Sequence, residues 1–176
     1  NIVMARFLPS DRDIIRYGSS IADYIVCKNT RSDVRNSYDI TTMADPGKTE
    51  ECPDIFARLM RMETESRVLH YRVCLQDDEI IHFLTKNPDI DMLTFMVYVM
   101  THEIFHIHRF VSGQADFNKV NYDEEVLVDN ITRLLLAKHP VTGMTRVLKL
   151  LDKLTPPPLY NLRTIIDQGG VIDAYL

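Results

Sequence analysis

The run Asp91–Phe110, DMLTFMVYVMTHEIFHIHRF, decides how this chain is organised. Between Met92 and Thr101 it is apolar nearly all round, which predicts a helix in the middle of the protein rather than on its surface. Asn87-Pro88-Asp89 ends whatever precedes it, with Asp89 as a candidate N-cap, and Ser112 and Gly113 stop the helix. The cluster His102, Glu103 and His106 therefore follows a buried stem. Residues four apart share one helical face, so both imidazoles can reach a single metal ion. Glu103 projects at a neighbouring angle, where it can take a proton from a cation-activated water without being a ligand. His108 lies about 240° round the helix from His102 and reads as a surface or capping histidine near the C-terminal end. A pair of solvated helix histidines is the plainer alternative, and the apolar stem from Phe95 to Met100 argues against it.

A catalytic zinc takes three protein ligands and leaves a fourth position for water. The acidic stretch Asp123-Glu124-Glu125, at the start of a helix expected from Asp123 to Lys138, is the best source of the third. Glu125 has a carboxylate one turn on, at Asp129, which could accept a hydrogen bond from a ligating histidine. On a helical wheel, however, Glu124 sits nearer the centre of the face formed by Leu127, Val128, Ile131, Leu134 and Leu135. Glu125 is preferred for its Asp129 partner, with Glu124 as the competing assignment.

Outward from this core, Ser10, Asp11 and Asp13 open a helix whose apolar residues recur at mostly helical spacing through Ile25. Residues 28–50 are polar and read as a long loop. Pro53 opens a second expected helix through Met62, with Ile55, Phe56, Leu59 and Met60 inward. Val68 to Leu75 alternates loosely, Asp77-Asp78 reads as a turn, and Glu79 to Leu84 as a second strand, so 67–84 is expected to be a β-hairpin. His139-Pro140 stops the Asp123 helix, Gly143 to Leu154 forms another, and Pro156-Pro157-Pro158 is a stiff connector to the tail. Helices, a small sheet, then helices make the expected class α+β, one domain over 1–176: a helical N-terminal part (1–65), a metal-site core (66–140), and a C-terminal helix and tail (141–176).

Composition is that of an ordinary globular domain, with 45% hydrophobic and 26% charged residues. A chain of this length can bury a core without a structural metal, so a metal is expected for chemistry. The net charge of −5, without any basic block, excludes an electrostatic footprint for nucleic acid or anionic membrane. Cys27, Cys52 and Cys74 form no C-x-x-C pair and read as reduced thiols of a cytoplasmic protein. No run is long enough to span a bilayer. The sequence starts at Asn1 rather than Met, so a removed leader stays open.

His102-Glu103-Ile104-Phe105-His106 followed by Glu125 and Asp129 resembles the gluzincin pattern of zinc metallopeptidases, H-E-x-x-H then E-x-x-x-D. The stretch Glu125 to Leu136 is similar to the ligand helix of small ImmA/IrrE-type bacterial metallopeptidases, and the resemblance covers about residues 66–140. It implies a zincin-like fold, a small sheet packed on the central helix, with zinc on His102, His106 and Glu125 and Glu103 as general base. It also implies a peptide or protein substrate bound along a sheet edge, which falls on Glu79, Ile80, Ile81, His82, Phe83 and Leu84. The metzincin extension H-x-x-G-x-x-H is missing, and no residue matches the transition-state stabiliser of larger gluzincins. Tyr122 and His139 are candidates for that role by chemistry alone. Two other readings compete: a zincin-like module that binds or regulates without catalysis, and a di-iron protein built on Glu79/His82 and Glu103/His106, which would need both pairs on long helices.

Overall fold

A computed structural model describes residues 5–45, 52 and 55–153. In chain order the elements are α1 (Asp11–Thr30), β1 (Tyr38–Thr42), β2 (Ala57–Glu63), β3 (Leu69–Leu75), α2 (Asp77–Lys86), α3 (Met92–Val111), α4 (Tyr122–Lys138) and α5 (Met144–Asp152). Short 3-10 turns cover Arg35–Ser37 and Phe117–Lys119. The class is α+β, five helices with one three-stranded sheet among the described residues.

The apolar run forms α3, which is buried on every side from Thr94 to Arg109. Its cap is Asp91, not Asp89: the Asp91 carboxylate accepts from Thr94 N at 2.8 Å, satisfying one of the open N–H groups of the first turn. Helix α1 packs along α3 with Gly18 at the crossing, where a Cβ would stand 3.1 Å from Met96 Cγ. A side chain there would require Met96 to give by a few tenths of an ångström. Phe95 anchors the other side, its ring 4.6 Å from that of Phe83 on α2 and 5.0 Å from that of Phe56.

The sheet order is β1-β3-β2, with β3 parallel to β1 and antiparallel to β2. Tyr71, Val73 and Leu75 of β3 alternate towards the core. Asp39 and Arg72, directly opposite on β1 and β3, pair through two hydrogen bonds of 2.7 and 2.9 Å.

Three expectations are corrected here. The segment read as a helix through Met62 is strand β2 from Ala57, because its backbone pairs with β3 over the whole of Ala57–Glu63; Pro53 itself lies outside the described residues. The hairpin is therefore β2–β3, turning through Thr64–Val68, where Arg67 adopts φ 60°. Glu79 to Leu84 is not a strand but the body of α2: Asp77, Asp78 and Glu79 place three carboxylates in its first turn, complementing the helix dipole, and Asn87 ends it. Ile80, Phe83 and Leu84 then fall on one helical face. Lastly, the 28–50 stretch read as loop contains β1, whose partner lies some thirty residues away. The tail with Pro156-Pro157-Pro158 lies outside the described residues.

Asp77 is more than a turn residue. It is fully buried, and its two oxygens accept from Phe7 N at 2.9 Å and Met43 N at 2.8 Å, tying the N-terminal segment and the end of β1 to the start of α2. The cysteines form no disulfide among the described residues. No helix of the described residues is long and apolar enough to cross a membrane.

Asp23 on α1 supplies a stability test. Burial lifts its carboxyl to about 6, against the opposing hydrogen bond from Tyr38 Oη, which lies 2.9 Å from each carboxylate oxygen. A carboxyl that holds its proton more tightly folded than unfolded loses stability as pH rises from about 4 to about 6, and the loss is complete above that. Asp23→Asn keeps an acceptor for Tyr38 and removes the buried charge. It should raise unfolding free energy at pH 7 by about 1–3 kcal/mol and by little at pH 4, measured by urea denaturation at both pH values.

Candidate metal centre

The two histidines of α3 stand one turn apart and meet the first turn of α4. His102 Nε2 lies 3.0 Å from Glu125 Oε2, His106 Nε2 lies 2.7 Å from Glu125 Oε1, and the two ring nitrogens are 3.1 Å apart. Among the described residues these three form the one group of at least three His, Cys, Asp or Glu side chains able to hold a metal ion. Ligands around a tetrahedral ion with ~2.05 Å bonds sit about 3.3 Å apart, so small outward movements would admit a cation between them. The donor set, two neutral imidazoles and one carboxylate, suits zinc and similar borderline divalent ions.

The cluster is closed to bulk water, with His102 at 0%, His106 at 1% and Glu125 at 6% exposure. Burial pushes the His102 imidazole below its ordinary value. At His106 burial acts the same way, but the Glu125 carboxylate outweighs it and raises the group to about 8. Burial would lift Glu125, yet the two imidazoles hold it down at about 2. Ligating imidazoles must be unprotonated, so a cation binding here would compete with protons.

The local sequence explains how Glu125 arrives. Asn121 caps α4 by accepting from Glu124 N at 3.0 Å, so the helix starts at Tyr122 and both glutamates fall in its first turn. Glu124, the competing third ligand, turns instead to Arg109 on α3, whose Nε and Nη2 lie 2.5 and 3.0 Å from its two oxygens. Glu103 is fully buried on α3 beside the ligands, and its charge acts on the His106 ring.

Asp129 lies on the His102 side, but its Oδ1 is 3.9 Å from His102 Nδ1, beyond direct hydrogen-bond length. Its oxygens are engaged by Tyr98 Oη at 2.5 Å and Arg133 Nε at 2.8 Å. It acts as a fixed negative charge behind His102 rather than as its direct acceptor. Asp129→Ala should weaken zinc affinity by about 10–100-fold in a competition titration. An unchanged Kd would limit Asp129 to joining α3 and α4.

Other expected site residues fall elsewhere. Tyr122 is the exposed first residue of α4, and His139 caps its far end against Asn29, 2.9 Å away. Fourteen residues of helix separate His139 from Glu125, about 21 Å, so His139 cannot serve the same centre. His108 is buried rather than superficial, its ring against Phe105, and burial lowers its imidazole. Glu79 and His82 do lie on a helix, but His82 is exposed and neither joins a metal-capable group among the described residues. Tyr98 and Arg109 escaped the sequence reading. With His102 and His106 they form a polar stripe at i, i+4, i+8 and i+11 on an otherwise apolar helix, a signal that both face a polar partner.

Comparison with protein-family models, with curated proteins and with solved structures finds no match for this chain.

Proposed function

We propose that the chain is a zinc-dependent hydrolase of zincin-like build, acting on peptide bonds. The observation that carries the reading is the convergence of His102 Nε2, His106 Nε2 and both Glu125 oxygens on one buried point, with Glu103 on the same helix. Zinc bound there would supply Lewis acidity and bring a water towards a pKa of ~7. His102, His106 and Glu125 would hold the ion, leaving Glu103 to accept the water's proton and later return it to the leaving amine. Burial around Glu103 would exclude competing water and strengthen a hydrogen bond made there to a zinc-activated water.

Peptide is the favoured substrate class because the sheet offers strand edges. The edge expected at Glu79–Leu84 does not exist, since that segment is helical. Strand β2 takes the role in this reading: it lies at one side of the sheet, and its Arg61 reaches the α3–α4 connection, 4.9 Å from the Phe117 ring centroid and 3.2 Å from Asn118 Oδ1. An extended peptide can add to such an edge through main-chain hydrogen bonds.

The test is elemental analysis of the purified protein together with digestion of a mixed peptide library. One zinc per chain is expected, with cleavage lost on chelation and restored by zinc. One zinc per chain with the library intact would instead support a non-catalytic zincin-like module. Full metal content in His102→Ala and His106→Ala proteins would place the metal elsewhere.

A further inference from the structure

Glu124 and Glu125 are neighbours in the first turn of α4, and both are more than nine-tenths buried, at 4% and 6% exposure. Only one of them meets the histidines. The other is gripped through both oxygens by Arg109, itself 1% exposed and three residues beyond His106 on α3. Three residues of helix are about 4.5 Å of rise, so the guanidinium sits within a turn of the ligand set. A divalent cation flanked by two buried, unengaged carboxylates would attract both. Four protein ligands make a closed site of the structural kind, whereas three leave a position for water.

We infer that Arg109 is a positioning residue that withholds Glu124 from the cation, so that the ligand set stops at His102, His106 and Glu125 and one coordination position stays open. The inference rests on the metal-centre reading above. It accounts for a feature that stability alone explains poorly, since buried ion pairs gain little over apolar residues of similar volume. A bidentate guanidinium suits the task because it engages both carboxylate oxygens at once and stays charged at any working pH.

The experiment uses the full chain loaded with Co(II), reading its visible spectrum and the change in that spectrum on adding azide, a small anion that needs an open position. Wild type should bind one cobalt and respond to azide. Arg109→Met should bind cobalt with an altered spectrum and lose the azide response, as Glu124 takes the open position. The double variant Arg109→Met/Glu124→Leu should regain both the wild-type spectrum and the azide response. Recovery in the double variant, which has no Arg109–Glu124 pair, is an outcome that a purely mechanical clamp between α3 and α4 would not give, and Glu124→Gln, whose neutral amide is a poor ligand, should keep the wild-type response. If Arg109→Met does not fold, Arg109→Gln, which keeps donors but no charge, carries the same test with the same expected loss. A wild-type spectrum and azide response in the foldable Arg109 variant overturns the inference while leaving the metal centre standing. So does a double variant as unresponsive as the single one. Failure of wild type to bind cobalt at all overturns the metal-centre reading itself.

Discussion

Replacing Glu103 by Gln should lower the proposed hydrolysis by about 10²–10⁴-fold, with metal content and thermal midpoint expected to stay at wild-type values. The two halves of this expectation come from different features. Glu103 is on the metal helix but outside the three-donor group, so its loss removes no ligand. Gln has the same shape, and exchanging a buried carboxylate for a neutral amide imposes no new desolvation cost. What Gln cannot do is take a proton from water and deliver it to a leaving amine. A general base contributes only when it is held within hydrogen-bond reach of that proton, and full burial on α3 restricts the side chain to few rotamers. Initial rates on the same peptide library, normalised to zinc content, give the comparison. Equal rates in the two proteins would remove Glu103 from the chemistry. A variant that loses zinc along with activity would make Glu103 a contributor to binding instead.

What could be read from the sequence divides along the range of the interactions. Helix α3 is legible because an apolar run of that length leaves no solvent-facing side, and its stops are local signals. The pairing of His102 and His106 with a carboxylate from 124–125 is legible from equally local signals: i, i+4 spacing on one helix and an acidic start to the next. Strand β2 is not. Its apolar residues fit helical spacing, and only the ladder with β3, from Ala57 opposite Leu75 to Glu63 opposite Leu69, decides its state. Without that partner for β3, the nearest apolar run, Glu79 to Leu84, reads as the second strand of a hairpin, although Ile80, Phe83 and Leu84 at i, i+3 and i+4 favour a helix. Strand β1 hides in a polar stretch because its worth comes from the distant Asp39–Arg72 pair and from Tyr38 reaching Asp23. The choice between Glu124 and Glu125 is of the same kind. A helical wheel ranks them by direction from α4 alone, whereas the deciding partner, Arg109, belongs to another helix.

That choice leads to the second large effect. Glu125→Ala should lower zinc affinity by about 10³-fold or more, beyond the 10–100-fold typical of an outer partner, because it removes a donor and the carboxylate that contacts both imidazoles. The two imidazoles would then face each other at 3.1 Å with no anion between them, and a divalent ion entering that space would meet two neutral ligands in a dry environment. The consequence extends to folding. A ligand that binds only the native state stabilises it by RT ln(1 + [L]/Kd), about 2.7 kcal/mol when free zinc is 100 times Kd. Wild type should therefore melt several degrees higher in buffered zinc than in chelator, as should Glu124→Gln, while Glu125→Ala should melt at the same temperature in both. Glu125→Asp, one methylene shorter, should recover part of the shift. A zinc-dependent rise in Tm that survives in Glu125→Ala but vanishes in Glu124→Gln would reverse the assignment and make Glu124 the ligand.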